Sequence, residues 1–432
     1  MSNLQEVVDK YFKDNNDNNI ENWSREKQDN LKFDAINAVI KLAKSNAFMA
    51  KKISDRVKEN GISSLDDLSE IDFTTKDELR VEPYRAVCVP KEQLIQMHMS
   101  TGTTKGEPIF VFYTLNDLYN FDLYPKYPNL VSVDPGKVVI VALPYELSSS
   151  GLSFHRVFSM SEKAMVVPAG KGGAYSSPEK TLQLMKKLSA DVIITTPSHM
   201  AYLYELAVEK GYDTNEDFHL EKIWLTGEGC SDKYRERIEE MWGCPAYFYY
   251  GSLECGALGI ECAEKNGYHI PEAHVHLEIV DPDTGVPCDN GEIGEIVVTT
   301  LLREGCPFIR YKTGDLGYID DVPCTCGSTA KKLFLRGRVG DQILIDNGNF
   351  SAFYLENILM RVPEITMWYQ FVNIDKSLTI RVEKQQMTDI SDEELSNKII
   401  SEFEYALGVT PTVEIVDKIE RVLTKAIRVV KQ

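Results

Sequence analysis

Residues 192–225 read VIITTPSHMAYLYELAVEKGYDTNEDFHLEKIWL and contain one complete strand–helix–strand pattern. The short apolar runs at 192–195 and 222–225 have the composition of buried strands, and the spacing of apolar residues over 200–209 is typical of an amphipathic helix. The alternation extends toward the N-terminus, with further strand and helix patterns at 138–143, 164–167 and 179–188. Strands that alternate with helices predict parallel β–α–β units, and therefore an α/β fold.

The regions on either side of these units have different patterns. Residues 1–60 place apolar side chains at helical spacing, which predicts packing helices. Residues 275–320 are rich in strand formers and contain the turn Asp281-Pro282-Asp283-Thr284-Gly285, which predicts a β-rich, more antiparallel subregion. Residues 342–432 show two strand patterns and two helix patterns, and we expect a small α+β domain there.

The length and composition restrict the class of protein. A chain of 432 residues is expected to form two domains, and 43% hydrophobic with 26% charged residues is typical of a soluble globular protein. The net charge of -19 argues against nucleic acid or an anionic membrane as a partner. No secretory or membrane-spanning segment is visible, and nine cysteines without one predict a reduced, cytoplasmic protein.

The segment Met99-Ser100-Thr101-Gly102-Thr103-Thr104-Lys105-Gly106-Glu107-Pro108 is poorly suited to a helix or a strand. Its hydroxyl and glycine residues favour irregular backbone, in which N–H and O–H donors can surround an anion. The segment therefore predicts a phosphate-binding loop. A solvated loop without a ligand is the alternative interpretation.

Two later segments carry groups that suit a nucleotide. Tyr249-Tyr250-Gly251-Ser252-Leu253-Glu254 places an aromatic face and a carboxylate at the end of a strand, where ligands of open α/β sheets bind. Glu254 could hold Mg²⁺ beside phosphates. Tyr311-Lys312-Thr313-Gly314-Asp315-Leu316-Gly317 predicts a tight turn that presents Asp315 to the two hydroxyls of a ribose. Ordinary structural turns are the alternative for both segments.

Taken in order, these segments resemble those of the AMP-forming adenylate ligases, a superfamily of acyl-CoA synthetases, adenylation domains and luciferases. The resemblance is greatest to the phenylacetate–CoA ligase group and covers about residues 70–430. Four motifs carry it: Phe73-Thr74-Thr75-Lys76-Asp77-Glu78-Leu79-Arg80, Thr101-Gly102-Thr103-Thr104, Ile309-Arg310-Tyr311-Lys312-Thr313-Gly314-Asp315-Leu316 and Cys324-Thr325-Cys326-Gly327.

The resemblance implies a role for each matching residue. The phosphate loop would consist of Ser100, Thr101, Gly102, Thr103, Thr104 and Gly106, with Thr103 and Thr104 on the triphosphate. The other nucleotide-binding residues would be Gly227, Glu228, Gly229, Tyr249, Tyr250, Gly251, Ser252, Asp315, Arg336 and Arg338, and Glu254 would bind Mg²⁺. The acid would lie between residues 145–154 and 247–255, and the residues expected to contact it are Tyr145, Ser150, Tyr247 and Gly256. Aromatic and small residues there favour an apolar or aromatic acid.

The C-terminal segment Leu423-Thr424-Lys425-Ala426-Ile427-Arg428 resembles the one that carries the catalytic lysine of the superfamily. Lys425 would bridge the carboxylate and the α-phosphate during adenylation; a solvated lysine is the alternative. The resemblance also implies a large domain over 1–338 and a mobile lid domain over 339–432, with a hinge near Gly340.

Four residues form a candidate zinc site. Cys324-Thr325-Cys326 has a chelating spacing, and Cys262 and His269 supply a further thiolate and an imidazole. Three sulfurs and one nitrogen suit a tetrahedral, structural Zn²⁺, and some members of the phenylacetate–CoA ligase group have a similar site. Thiols that never meet the histidine are the alternative, and Cys255 could substitute as a ligand.

The resulting prediction is an ATP-dependent, AMP-forming ligase that converts an apolar or aromatic acid to an acyl-adenylate and transfers the acyl group to coenzyme A. One alternative is a stand-alone adenylation enzyme that loads a carrier-protein phosphopantetheine thiol or an amine. A second is a nucleotide-binding protein that has lost the chemistry. The identity of the acid and the assembly state, including a homodimer, stay open.

Overall fold

The computed structural model describes residues 3–13, 18–100, 107–127, 130, 132–173, 175–345, 348–386, 388–422 and 425–431. The chain forms two compact units. The first comprises Met1–Gly136, Pro144–Met165 and Tyr247–Leu335, and the second comprises Lys137–Leu143, Val166–Ala246 and Arg336–Gln432. Among the described helices, none combines the length and the apolar character needed to cross a bilayer.

The first unit begins with helices, as predicted, and continues into β-structure. Its helices are Asn3–Phe12, Arg25–Ala43, Ala47–Lys52, Asp55–Asn60, Lys76–Leu79 and Ser150–Arg156. A hairpin pairs Leu94–Met99 with Phe110–Thr114. The remaining strands follow the spatial order Val275–Val280, Gly294–Thr300, Tyr311–Asp320, Lys332–Arg338, Tyr268–His269, Gly256–Glu261 and Ala246–Ser252. The β-rich subregion is antiparallel, as expected.

The second unit contains the predicted β–α–β units. Its strands lie in the order Lys222–Thr226, Val192–Thr195, Val138–Val141 and Met165–Val167, and the first three are parallel. They alternate with the helices Pro178–Lys187, Pro197–Glu209 and Asp232–Trp242. Serine or threonine caps the N-terminus of each helix and accepts a backbone N–H. Proline occupies the first position of the first two, where its missing N–H costs nothing.

The C-terminal part of the second unit is the predicted α+β region. Its four-stranded sheet has the order Thr412–Ile415, Ser377–Lys384, Ile365–Ile374 and Val429–Lys431. Two helices, Ala352–Leu359 and Asp392–Leu407, and a short hairpin, Ile343–Ile345 with Gly348–Phe350, complete it. The mixed α/β fold class is therefore confirmed.

Candidate active site

Two of the predicted nucleotide-binding segments meet in the first unit. The Tyr250 hydroxyl donates a hydrogen bond to Asp315 Oδ2 at 2.7 Å. Four residues farther along the first segment, Glu254 Oε1 accepts a hydrogen bond from the Tyr311 hydroxyl at 3.0 Å. Burial raises the pKa of Tyr311 well above its ordinary value, so this phenol stays protonated and donates. The structure thus joins the two segments by two side-chain hydrogen bonds.

The backbone at Asp315 differs from the prediction. The expected tight turn is instead an irregular part of the strand Tyr311–Asp320, where the pairing with Gly294–Thr300 shifts register. Gly314 has a φ of +76°, and Thr313 Oγ1 accepts a hydrogen bond from the Asp315 N–H at 3.0 Å. Glycine and threonine bend the strand there and redirect the carboxylate.

Glycine is required in the hairpin that carries Glu254. A Cβ atom on Gly251 would lie 2.6 Å from the carbonyl oxygen of Gly256, and Gly256 itself has a φ of +76°. Ser252 pairs directly with Gly256, so the tight connection between them contains Glu254. The two glycines therefore fix the position of this carboxylate within the hairpin.

Glu254 lies in a buried, partly charged environment. Its side chain is 5% exposed, and the Lys76 ammonium lies 3.5 Å from the same Oε1 that Tyr311 contacts. The guanidinium of Arg303 donates to the Glu254 backbone carbonyl. Among the described residues both side-chain contacts reach Oε1, which leaves Oε2 available to a cation. The Glu254 carboxylate is therefore buried and contacted on one oxygen by a phenol and a lysine.

The predicted phosphate loop is described only at its first residue. Ser100 N–H donates to the Ile109 carbonyl at 3.0 Å, and Ser100 Oγ accepts a hydrogen bond from the Ile109 N–H at 2.9 Å. The other predicted loop residues lie outside the described residues: Thr101, Gly102, Thr103, Thr104 and Gly106.

The residues predicted to contact the acid lie in two places in the first unit. The Tyr145 hydroxyl lies 3.3 Å from His155 Nδ1. Phe154, close by in the same segment, packs edge-on against Tyr249 with ring centroids 4.7 Å apart. The Tyr247 ring instead lies beside Lys265, whose Nζ is 5.1 Å from the ring centroid. The aromatic contact to the 145–154 segment is thus made by Tyr249, a predicted nucleotide-binding residue.

The two remaining predicted contact residues are Gly256, in the hairpin that carries Glu254, and Ser150, which begins the helix Ser150–Arg156. Ser150 Oγ lies 3.0 Å from Ser148 Oγ. Ser148 and Ser150 therefore place two hydroxyl groups side by side at the start of this helix.

The predicted adenine segment belongs to the second unit. Glu228 accepts hydrogen bonds from Ser198 Oγ at 2.8 Å and from the Ser198 N–H at 3.3 Å. Lys171 lies 3.6 Å from the same carboxylate and donates to Thr196 Oγ1 at 2.7 Å. Burial lowers the pKa of Lys171, Glu228 opposes the shift, and the charge of Lys425 lowers the pKa further. The charge of Lys425 therefore acts on Lys171.

The glycines beside Glu228 have different surroundings. Gly227 is exposed and has a φ of +78°. A Cβ atom on Gly229 would lie 2.0 Å from the ring of Phe353, so only glycine allows this close packing. Arg336 and Arg338, both exposed, occupy the last residues of the strand Lys332–Arg338.

The four predicted zinc ligands meet in the first unit. Cys262 Sγ lies 3.7 Å from Cys324 Sγ, and Cys326 Sγ lies 3.4 Å from His269 Nε2. All four ligand atoms lie within 4.8 Å of one another. Cys255, the alternative ligand, is instead buried in a hydrophobic cluster.

The N-terminal helices hold the segments that carry these ligands. Gln28 Nε2 donates to Thr329 Oγ1 at 2.9 Å, and Glu272 accepts a hydrogen bond from the Lys331 N–H at 3.2 Å. Glu272 Oε2 also forms an ion pair with Arg25 Nη1 at 2.7 Å. Thr329 lies close to Cys326 in the chain, and Glu272 lies close to His269. These contacts therefore attach both ligand-bearing segments to the helix Arg25–Ala43.

Several residues of the site had no predicted role. Lys76 and Tyr311 lie inside motifs that the sequence singled out, and their contact with Glu254 depends on tertiary pairing. Lys171 and Ser198 belong to no motif. Lys76 lies in the capped first turn of its helix, a local pattern that does not indicate its contact with Glu254.

Comparison with known proteins agrees with this geometry. Residues 28–301 match the family model described as AMP-binding enzyme, and residues 353–432 match that of the AMP-binding enzyme C-terminal domain. The chain belongs to the AMP-binding enzyme family, and the predicted resemblance is confirmed.

The curated relatives refine this assignment. The phenylacetate-coenzyme A ligase of Thermus thermophilus is 33% identical over 80% of this chain and 78% of its own length. That of Aromatoleum evansii is 30% identical over 95% of this chain and 96% of its own. The predicted enzyme class, an ATP-dependent, AMP-forming acid–thiol ligase, is confirmed.

Solved structures share the fold. A 2-hydroxyisobutyryl-CoA ligase in a postadenylation state, in complex with R3-HIB-AMP, has a TM-score of 0.84 at 22% identity, covering 94% of this chain and 90% of its own. An anthranilate CoA ligase in complex with anthranoyl-AMP has a TM-score of 0.61 at 16% identity, covering 79% of this chain and 67% of its own.

Proposed function

We propose that this protein activates an apolar or aromatic carboxylic acid with ATP and transfers the acyl group to coenzyme A. The observation that carries the proposal is the pairing of Tyr250 with Asp315 and of Tyr311 with Glu254, which brings two nucleotide-type motifs together. The curated relatives support coenzyme A as the acceptor, because their names are those of coenzyme A ligases.

The proposed first step joins two anions, and charge therefore dominates its barrier. A carboxylate is already ionised at neutral pH, so no general base is needed for its attack on the α-phosphorus. The bond from oxygen to the α-phosphorus forms while the bond to pyrophosphate breaks. Lys425 would reduce the repulsion between the two anions and stabilise the charge that builds on the phosphoryl oxygens.

The nucleotide would be held by groups that the structure orients in advance. The Asp315 carboxylate would accept hydrogen bonds from the ribose hydroxyls, and the Tyr250 hydroxyl fixes its orientation. The family resemblance assigns Thr226-Gly227-Glu228-Gly229 to the adenine and Arg336 and Arg338 to the nucleotide.

The Glu254 carboxylate fits Mg²⁺ because it is buried, held by Tyr311 and open at Oε2 among the described residues. Mg²⁺ prefers one or two carboxylates together with phosphate oxygens and water. The ion would neutralise charge on the phosphates when bound.

Replacing this carboxylate gives the first prediction. Glu254→Gln removes the charge and keeps the shape, so we expect pyrophosphate release at saturating Mg²⁺ to fall about 100-fold, with half-saturation at a higher Mg²⁺ concentration. A Mg²⁺ titration of the initial rate measures both. The exposed Glu92→Gln serves as the control. An unchanged Mg²⁺ dependence in Glu254→Gln would show that the metal binds elsewhere.

The aromatic rings near the 145–154 segment support an apolar or aromatic acid. Phe154 and Tyr249 make an edge-on aromatic pair, and Tyr145 packs edge-on against His155. Such rings favour flat or apolar groups. The phenylacetate ligases among the relatives are consistent with an aryl acid.

The test of the proposed function is pyrophosphate release measured with a panel of acids. We expect release that depends on ATP and on an apolar or aromatic acid, followed by thioester formation with free coenzyme A. Thioester formation only on a phosphopantetheine carrier protein would replace coenzyme A as the acceptor. If a broad panel gave no acid-dependent release, the proposed function would be wrong.

The cysteine–histidine cluster fits a structural zinc ion. Zn–S bonds of about 2.3 Å at tetrahedral angles place two sulfur ligands about 3.8 Å apart. The Cys262–Cys324 sulfur separation of 3.7 Å agrees with this value. Four protein ligands leave no position for water, so the ion would stabilise the fold and take no part in the reaction.

The domain boundary also belongs to the proposal. A large domain over 1–338 and a small lid domain over 339–432 agree with family matches that end at 301 and begin again at 353. Gly340 lies in a short 3₁₀ turn with open space where a Cβ atom would be, and Gly337, three residues earlier, has a φ of +102°. Both glycines can accept the backbone rotation that a hinge needs. The cytoplasmic location stays a prediction.

A further inference from the structure

Arg421, four residues before Lys425, binds two carboxylates at once. Its guanidinium donates to Glu205 Oε1 at 2.8 Å and to Glu205 Oε2 at 3.2 Å. It also donates to both oxygens of Glu383, at 2.8 Å for Oε2. A planar guanidinium with two bidentate partners is held in one orientation, which a lysine in its place would not be.

The two carboxylates come from different parts of the second unit. Glu205 lies on the helix Pro197–Glu209, inside the main AMP-binding match. Glu383 lies on the strand Ser377–Lys384, inside the C-terminal match. Trp368 reinforces the contact, because its indole N–H donates to Glu205 Oε1 at 2.7 Å and its ring lies 4.5 Å below the guanidinium.

A second arginine fixes the chain on the other side of Lys425. Arg428 donates to the Tyr234 hydroxyl at 2.8 Å and to the Met367 carbonyl at 3.0 Å, and it stacks over the Tyr369 ring at 4.3 Å. Tyr234 belongs to the helix Asp232–Trp242. Lys425 itself is exposed between these two anchors, and its charge reaches the Lys171–Glu228 pair.

We propose that the Glu205–Arg421 ion pair is a positioning device that holds Lys425 for adenylate formation. The inference rests on the proposed function, because it assigns the pair to the half-reaction that uses Lys425. A lysine has a long, flexible side chain, so anchoring its backbone reduces the entropy lost when the ammonium meets the substrate. Glu205 is the decisive partner, since Arg421 and Glu383 lie in the same C-terminal match.

The experiment measures the two half-reactions separately in the full-length protein. Glu205→Gln keeps the shape and removes the charge, and we expect acid-dependent ATP–pyrophosphate exchange to fall about five- to tenfold. Acyl transfer from a synthetic acyl-adenylate to coenzyme A should stay within about twofold, because that step does not need the lysine. Glu205→Asp should restore part of the exchange rate. Glu414→Gln, which breaks the exposed Arg381–Glu414 pair of the same sheet, is the matched control.

Limited trypsin digestion gives a readout that does not depend on activity. Cleavage after Lys425, mapped by mass spectrometry, should be several-fold faster in Glu205→Gln than in the wild type or Glu414→Gln. Equal cleavage and equal exchange in all three proteins would overturn the inference, as would an equal loss in both half-reactions. A wild type that shows no exchange with any acid would overturn the proposed function, while the digestion pattern would still test the anchor.

Discussion

Replacing Lys425 by alanine should lower the rate of acid-dependent ATP–pyrophosphate exchange by about 100- to 1,000-fold, the range found when one preorganised electrostatic contact to a transition state is removed. The reason is that the proposed attack brings a carboxylate to a phosphate, and Lys425 is the cation assigned to both anions. Its side chain is exposed, so the substitution should leave the free energy of unfolding within about 0.5 kcal/mol.

The control for this prediction is Lys418→Ala, which removes another exposed lysine of the same C-terminal region. It should exchange pyrophosphate at the wild-type rate. Acyl transfer from a synthetic acyl-adenylate to coenzyme A should be retained in Lys425→Ala, because the phosphoryl chemistry is then already complete. A uniform loss in both half-reactions would assign Lys425 a structural role. Unchanged exchange would make it the solvated lysine of the alternative interpretation.

The regular core of the fold could be predicted from the sequence because its signals are local. The predicted strand at 192–195 agrees with Val192–Thr195, and the apolar run at 222–225 is one residue shorter than Lys222–Thr226. Short runs of β-branched residues between capped helices can bury their side chains most readily as the strands of a sheet. The family resemblance is likewise carried by short contiguous motifs.

The backbone at Asp315 was harder to predict, since glycine and threonine are common to turns and to irregular strands. The difference depends on the neighbouring strand Gly294–Thr300, whose pairing shifts register there. Local sequence alone does not contain that information. The sequence did not predict the hydrogen bond from Tyr250 to Asp315, and the ribose-binding role of Asp315 stays a prediction.

The contacts missed by the sequence analysis all join distant residues. Tyr311 and Glu254 are 57 residues apart in the chain, and Arg421 and Glu205 are 216 apart. An arginine near a catalytic lysine has no distinctive sequence pattern, and a glutamate on a helix is typical of any exposed helical face. Only the packing of the second unit shows that Arg421 forms ion pairs with Glu205 and Glu383 and stacks on Trp368.

Removing two of the proposed zinc ligands should have the largest effect on stability. In the double variant Cys324→Ser with Cys326→Ser, we expect bound zinc to fall from about one ion per chain to nearly none, because two of four ligands are lost. Losing a structural metal costs several kcal/mol, and for a chain of this size the melting temperature should fall by about 10 °C. Elemental analysis of the purified proteins and thermal melts measure the two effects.

Cys288→Ser is the control, because Cys288 is a half-buried thiol outside the proposed ligand set and should keep full zinc content. A second measurement covers the case in which the double variant does not fold. Zinc released from the wild type by a mercurial reagent should appear in step with modification of three thiols, the number contributed by Cys262, Cys324 and Cys326. Full zinc stoichiometry in the double variant would rule out this ligand set. Wild-type protein that binds no zinc after refolding with the metal would reduce the cluster to three neighbouring thiols and a buried imidazole, and the sulfur separation of 3.7 Å would then reflect packing alone.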